Sequence, residues 1–187
     1  MIFEQFGFYH IYNRGCNKEP IFFYEEDYNL LISRMIDSKE KSGIDIIAFC
    51  LMPNHYHLLV KQLTDKPASN WIKYIFNPYV QIINHRENRN GTLFEGKAKT
   101  RIIDNQSYLS RIVNYIHYNP VKANLVKKLE AWPYSNYLEF IGKRKSELFS
   151  WNYFDENYDS FEEYEKLMKE YEFSAKGIED YLIDNDM

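Results

Sequence analysis

Hydrophobic and polar positions along the first 120 residues follow short periods that predict seven secondary-structure elements. Alternation from residue 6 to 15 predicts a strand. Apolar runs at 44–52 and 55–63 predict two more strands, joined by a tight turn at Pro53. Apolar residues at helical spacing predict three helices, at 25–43, 66–88 and 105–120. A basic loop between the second and third helices is predicted to close into a short strand near 98–103.

The order of these elements is strand, helix, strand, strand, helix, strand, helix. Such an order predicts an α+β fold, a ferredoxin-like or RRM-like sandwich in which helices pack on a mostly antiparallel sheet.

Two prolines fall inside predicted helices. Pro78 has no backbone N–H, so it is expected to kink or split the second helix. Pro120 biases the preceding Asn119 away from helical geometry, so the last turn of the third helix is expected to be irregular.

Charge is distributed unevenly along the chain, whose formal net charge is −4. Counting Lys and Arg against Asp and Glu, residues 1–60 carry −3, residues 61–130 carry +7 and residues 131–187 carry −8. A basic middle between acidic ends is typical of a polyanion-binding face. Scattered, solvated lysines would give the same count, so charge alone leaves nucleic-acid binding open.

Composition also divides the chain near residue 150. Residues 1–149 contain the predicted elements and are expected to form the main domain. Residues 150–187 are expected to form an acidic extension, in which the segment FEEYEKLMKEYEF predicts a peripheral helix. One hypothesis is that this extension covers the basic face and restrains binding.

Cysteine content and the absence of long apolar segments bear on location. The two cysteines are too few for a disulfide framework, which favours a reducing cytoplasm. The first residues lack the basic segment and apolar run of a signal peptide. No window of eighteen apolar residues occurs, so no membrane partner is expected.

The second strand of the predicted hairpin contains two histidines two residues apart, His55 and His57. Residues i and i+2 of a strand point to the same face, with Cα atoms about 6.5 Å apart, so both imidazoles can converge on one cation. Tyr56 and Leu58 face the other way, where they can fill the core. So short a motif also arises by chance as two surface histidines. The apolar neighbourhood argues against that reading, because burying unpaired imidazoles is costly.

The third predicted helix offers further polar groups. With its buried stripe centred on Ile112 and Val113, a rotation of about 100° per residue places four side chains on one flank: Tyr108, Arg111, Tyr115 and Asn119. Tyr115 and Asn119 are one helical turn apart. A tyrosine hydroxyl beside a metal ion is a candidate nucleophile, and an amide oxygen is a candidate ligand. Most of the 17 tyrosines are nevertheless expected to be packing residues.

Four sequence blocks, in order, resemble the single-tyrosine HUH transposases, particularly the REP-associated tyrosine transposases. The blocks are FYHIYNRG, MPNHYHLLV, LFEGKAKTRII and YLSRIVNYIHYNPVKANLV, and the resemblance extends over roughly residues 6 to 140. Their order along the chain is much more specific than the paired histidines alone.

The resemblance implies an enzyme, a DNA strand transferase and endonuclease that cleaves and rejoins single-stranded DNA through a 5′-phosphotyrosine intermediate. It implies Tyr115 as the nucleophile and His55, His57 and Asn119 as ligands of a divalent metal, either Mg²⁺ or Mn²⁺. Relatives in mobile insertion sequences usually have glutamine in place of Asn119, which favours the REP-associated branch. Imidazole ligands suit Mn²⁺, whereas abundance favours Mg²⁺.

The implied partner is single-stranded DNA, often with a hairpin beside the cut. Six side chains are candidates for contacts with it: Lys97, Lys99 and Arg101 on one face of the short strand, Arg111 on the tyrosine's flank, and Asn13 and Arg14 in the loop after the first strand. A solvated surface role is the competing interpretation for each of them.

Three other functions share features with this pattern. A replication-initiator nickase shares the HUH chemistry, but a single candidate tyrosine and a short chain favour transposition. A histidine-triad nucleotide hydrolase needs a third alternating histidine where this chain has Leu59, and is rejected. A non-catalytic or domesticated nucleic-acid-binding module on the same fold is the alternative of a different class. A homodimer, with the tyrosine helix serving its own subunit or its partner's, also remains open.

Overall fold

A computed structural model describes residues 4–175 of the chain. Its strands are β1 (Phe8–Arg14), β2 (Ile44–Met52), β3 (His55–Gln62) and β4 (Lys99–Ile103). Its helices are α1 (Glu25–Ser42), α2 (Ala68–Arg86), α3 (Gln106–Lys122), α4 (Tyr137–Phe140), α5 (Trp151–Asn157) and α6 (Phe161–Ala175), with short 3-10 turns at Cys16–Lys18 and Leu129–Ala131. The predicted order of the first seven elements is confirmed.

The four strands form one antiparallel sheet in the order β2-β3-β1-β4. In the centre of the sheet, Tyr12 of β1 pairs with His57 of β3. On the other side of β1, Arg101 of β4 lies opposite His10 and Lys99 lies opposite Tyr12. With α1 and α2 as the crossovers, this is the ferredoxin-like arrangement, so the predicted fold class is confirmed.

Helices cover both faces of the sheet, and each face has its own hydrophobic core. α1 and α2 pack on one face, where Ile11, Tyr56 and Leu58 are buried. α3 to α6 pack on the other, around residues such as Leu59 and Ile112. Because successive strand residues point to opposite faces, the odd-numbered residues of β3 face α3.

The outer edge of β2 is occupied by the segment that follows the second 3-10 turn. The Leu51 N–H donates to the Tyr134 carbonyl at 2.8 Å. The Asn136 side chain accepts from the Phe49 N–H at 2.8 Å and donates to the Ile47 carbonyl at 2.9 Å. Backbone groups that an edge strand would expose are therefore satisfied within the chain.

Of the two effects expected of Pro78, a kink or a split of α2, the split does not occur, because the helix runs from Ala68 to Arg86. Proline leaves the carbonyl of Tyr74, four residues earlier, without its helical N–H partner. The Arg34 guanidinium of α1 donates to that carbonyl from Nη2 at 2.9 Å, and to the Ile75 carbonyl from Nε at 3.0 Å. A neighbouring helix thus satisfies the exposed group, and α2 continues to Arg86.

α3 likewise continues through Pro120 to Lys122, so the expected irregular last turn is not observed. Asn119 lies within the helix, and its carbonyl accepts from the Ala123 N–H at 2.9 Å. The side chain of Asn119 therefore keeps a regular helical relation to the preceding turn.

Residues 150–175 share the core of the sheet and helices. α6 is helical as expected but not peripheral, because Tyr164 and Met168 are completely buried in the cluster around α3. Tyr153 and Phe154 of α5 are buried there too. Residues 176–187 of the expected acidic extension lie outside the described residues. Within residues 4–175, no helix combines the length and apolar character needed to cross a membrane.

Candidate active site

β3 places His55 and His57 on the sheet face that α3 covers, with ring centroids 5.3 Å apart. His57 is completely buried and His55 is half-buried. Nδ1 of His55 lies 2.8 Å from Asn54 Oδ1, and Nδ1 of His57 lies 3.1 Å from Nε2 of His10. Nε2 of His57 is buried and has no hydrogen-bond partner among the described residues. This orphaned nitrogen is the atom that a ligand on the α3 side would meet.

The surroundings keep the two buried imidazoles, His57 and His10, neutral. Burial lowers the pKa of His57 well below its ordinary value, and the charges of His10, His55 and Lys122 lower it further. Burial also lowers the pKa of His10 to about 3, with a smaller contribution from Arg101. A neutral imidazole has a lone pair to offer, which is the state required for metal binding.

α3 brings Tyr115 against these histidines. Its ring centroid lies 5.4 Å from that of His57 and 6.4 Å from that of His10, edge-on in both cases. The Lys122 ammonium lies 5.6 Å from the centre of the tyrosine ring. Tyr115 itself is only 1% exposed.

Asn119 lies one turn after Tyr115 and is fixed against the helix. Its Nδ2 donates to the Tyr115 carbonyl at 2.9 Å, so Oδ1 is the atom of the amide that can face a cation. The start of α3 is fixed by Asn105, whose Oδ1 accepts from the N–H groups of Ser107 and Tyr108 at 2.9 and 3.2 Å. A capped, continuous helix therefore holds the tyrosine and the amide in a constant relation.

The donor set that the sequence predicts for a metal ion is two imidazoles, of His55 and His57, and the amide oxygen of Asn119. Within the described part of the chain, no group of three or more His, Cys, Asp or Glu side chains is arranged to hold a metal ion. The orphaned Nε2 of His57 fits a ligand role nonetheless. Imidazole and oxygen donors together suit a divalent ion that keeps positions open for water or phosphate oxygens.

Sequence reasoning missed His10 as part of this site. The imidazoles of His10 and His57 are stacked with centroids 5.2 Å apart, and His10 is completely buried. The sequence placed His10 on a strand, but the contact depends on β1 pairing with β3 in the register that sets Tyr12 opposite His57. Alternation within β1, combined with that register, is the signal that would have found it.

The basic residues predicted to contact DNA lie around this site. Lys99 and Arg101 share the sheet face of Tyr12 and His10, because directly paired residues point to the same side. Lys97 precedes β4 and is exposed, so it is not part of the strand that was predicted to align the three cations. On α3, the exposed Arg111 lies one turn before the buried tyrosine.

Asn13 and Arg14 end β1 and contact the loop before β4. Asn13 Nδ2 donates to the Gly96 carbonyl at 2.9 Å, and Arg14 forms an ion pair with Glu95. These residues line a cavity of about 270 Å³ together with residues 12, 97 and 99. A second cavity of about 540 Å³ extends from Arg14 to His55. The second cavity therefore connects Arg14 at the end of β1 with His55.

Comparisons with known proteins bear on the family and the fold of the chain. The family model described as transposase IS200 like matches residues 7–119. A REP-associated tyrosine transposase of Haemophilus influenzae is 26% identical over 109 residues, covering 52% of this chain and 61% of the relative, so the match spans about three-fifths of that protein.

A solved structure of a REP-associated tyrosine transposase bound to a REP hairpin shares the fold. It superposes with a TM-score of 0.64 at 19% identity, covering 80% of this chain and 88% of the other. Because the family model covers more than half of the chain, the resemblance seen in the sequence is confirmed: the chain belongs to the IS200-like transposase family.

Proposed function

We propose that this chain is a divalent-metal-dependent transposase that cleaves and rejoins single-stranded DNA. The observation that carries the proposal is the position of Tyr115, whose ring lies 5.4 Å from that of His57 and one helical turn before Asn119. The Tyr115 oxygen attacks a DNA phosphorus in line, forming a 5′-phosphotyrosine and releasing a 3′-hydroxyl. A second 3′-hydroxyl then attacks the same phosphorus, and the tyrosine oxygen leaves.

His55, His57 and Asn119 would hold the divalent ion, Mg²⁺ or Mn²⁺, which when bound would orient the scissile phosphate and offset charge on its oxygens. Tyr115 is only 1% exposed, which limits the access of water that would otherwise compete with the incoming 3′-hydroxyl.

Single-stranded or hairpin DNA is the proposed substrate. The solved relative with the same fold is bound to a REP hairpin. In this chain Lys99 and Arg101 flank the candidate site, where their charges suit backbone phosphates. Arg111 lies one turn before the tyrosine, and Arg14 would exchange Glu95 for a phosphate. The residues proposed for this chemistry all precede residue 150, and the reaction is proposed to take place in the cytoplasm.

A non-catalytic nucleic-acid-binding module is the second candidate, and the burial of Tyr115 favours it. A side chain that is 1% exposed must be uncovered before its oxygen reaches a phosphorus. A binding module needs neither this movement nor a specific divalent ion.

The test is covalent capture of DNA. Labelled single-stranded hairpin DNA from beside the gene is incubated with the protein and Mn²⁺, and a denaturing gel reveals any protein–DNA adduct. Tyr115→Phe should abolish the adduct, whereas Tyr118→Phe, on the same helix but packed against Tyr171, should retain it. Metal and DNA binding without an adduct would favour the binding module instead.

A further inference from the structure

His10 is buried in the centre of the site, and the proposed reaction gives it no task. Its ring lies between two others, stacked on Tyr12 with centroids 4.9 Å apart and on His57 at 5.2 Å. Nε2 of His10 lies 3.1 Å from Nδ1 of His57, and this is the hydrogen bond that fixes the His57 ring. A polar side chain placed so specifically in a buried position calls for a physical reason.

The hydrogen bond between the two histidines carries one proton, which has two positions. A neutral imidazole has one N–H and one lone pair. If His57 donates from Nδ1, its Nε2 has the lone pair. If His10 donates from Nε2, the proton of His57 is on its own Nε2, and that atom can bind no cation.

Neither position is strongly favoured by hydrogen bonding within the described chain. Nε2 of His57 and Nδ1 of His10 are both buried, and both lack a hydrogen-bond partner among the described residues. Each arrangement therefore leaves one buried N–H unpaired, on one ring or the other. A cation at Nε2 of His57 selects the first arrangement, because only that arrangement offers a lone pair.

We propose that His10 is a positioning residue for the metal site: its Nε2 accepts the Nδ1–H of His57 and so holds the Nε2 lone pair of His57 toward the ion. The inference rests on the proposed function, which makes His57 a metal ligand. Partners that orient a ligating imidazole in this way are typically worth 10- to 100-fold in metal affinity, roughly.

Two substitutions separate the hydrogen bond from the packing. His10→Phe keeps a stacked ring and removes the acceptor, so the Mn²⁺ affinity of the DNA-free protein should fall by about tenfold or more. His10→Gln places an amide oxygen within reach of the His57 N–H, so it should restore much of the affinity. Tyr12→Phe, which alters the other ring stacked on His10, is the control and should bind Mn²⁺ like the wild type.

Mn²⁺ binding is measured from the electron paramagnetic resonance signal of the free ion, with the thermal unfolding temperature of each variant recorded alongside. A folded His10→Phe protein that binds Mn²⁺ like the wild type overturns the proposal. If that variant does not fold, nitrogen-15 NMR of the histidine-labelled wild type with Mg²⁺ decides the question. A proton on Nδ1 of His57 supports the proposal, and a proton on Nε2 overturns it.

The result is separable from that of the covalent-capture experiment. If Tyr115 forms an adduct but the Mn²⁺ affinity does not depend on His10, the proposed function stands and the positioning role of His10 is excluded. If the Mn²⁺ affinity depends on His10 but no adduct forms, the positioning role stands and the proposed function is excluded. A wild-type protein that binds no Mn²⁺ removes both.

Discussion

Among the described residues, His57 and Asp27 show two ways of accommodating a buried ionisable side chain. His57 is neutral, because burial lowers its pKa. Asp27 remains charged because the Arg86 guanidinium donates to its two carboxylate oxygens at 2.6 and 2.8 Å, and because the backbone N–H groups of Phe23 and Tyr24 donate as well. Burial by itself raises the pKa of this carboxyl, but the hydrogen bonds, first of all those from the guanidinium, lower it below its ordinary value of 3.8.

Replacing Arg86 with methionine should therefore lower the free energy of unfolding at pH 7 by about 3 kcal/mol, since it leaves a buried carboxylate without its charge partner. A carboxyl whose folded pKa is depressed stabilises the fold above its unfolded pKa, and that stabilisation is lost as the pH falls through the folded pKa. The wild type should thus lose more stability than the variant on acidification below about pH 4.

Denaturant unfolding at a series of pH values measures this difference. Arg89→Met is the control, because its ion pair with Glu19 is more exposed and should contribute under about 1 kcal/mol. Parallel acid profiles for the wild type and Arg86→Met would contradict the assignment.

At the scale of elements, α2 shows how a helix tolerates an internal proline. The missing N–H of Pro78 is compensated from α1, where the Arg34 guanidinium donates to the Tyr74 carbonyl. The middle turns of α2 therefore depend for their stability on a tertiary contact with a residue of α1.

A double-mutant cycle should reveal this dependence. Arg34→Met should cost about 1–3 kcal/mol in the wild type, because it leaves a carbonyl unsatisfied. In a Pro78→Ala background the alanine N–H can bond to the Tyr74 carbonyl, so the same substitution should cost less. Unfolding free energies of the four proteins give the coupling, and additive effects would show that the arginine does not serve this carbonyl.

Features set by interactions between residues close in sequence could be predicted, whereas those set by contacts between distant residues could not. Strand alternation was enough to place His55 and His57 on one face, because that period is built into the backbone. The contact between His10 and His57 joins residues 47 apart, and the contact between Arg34 and Tyr74 joins residues 40 apart. Neither has a local signal, so the continuity of α2 through Pro78 was not predicted and the third histidine was missed.

At the scale of the whole molecule, residues 150–175 belong to the core. The Tyr164 hydroxyl of α6 lies 2.6 Å from Nδ1 of His117 in α3, and the other ring nitrogen of His117 lies 2.9 Å from Asn136 Oδ1. Deleting everything from residue 150 onward would remove Tyr164 from this network, together with the buried side chains of α5 and α6. Such a deletion cannot isolate an effect of acidic charge on DNA binding.

Substitutions at two neighbouring positions of α6 test whether this helix is part of the core. Met168→Ala should destabilise the protein by about 2–5 kcal/mol, because the methionine is completely buried. Leu167→Ala, at a position that is 38% exposed, should cost much less. Urea unfolding compares the two, and equal small effects would mean that α6 is not packed as described.

The basic loops and strands give an electrostatic prediction for the whole molecule. If Lys99 contacts a phosphate of single-stranded DNA, Lys99→Ala should reduce the slope of log affinity against log salt by about 0.7. Lys166→Ala, on the exposed side of α6, should leave the slope unchanged. Binding titrations at several salt concentrations provide both slopes, and identical slopes for the wild type and Lys99→Ala would exclude this phosphate contact.

The covered edge of β2 has a consequence for self-association. With Tyr134 and Asn136 occupying that edge, the described sheet ends in β4 on its other side, where another strand could add. β4 has five residues and includes Lys99 and Arg101, and short, positively charged edges resist templated stacking of copies into fibrils. The cations proposed to hold the substrate would then also protect the chain against aggregation.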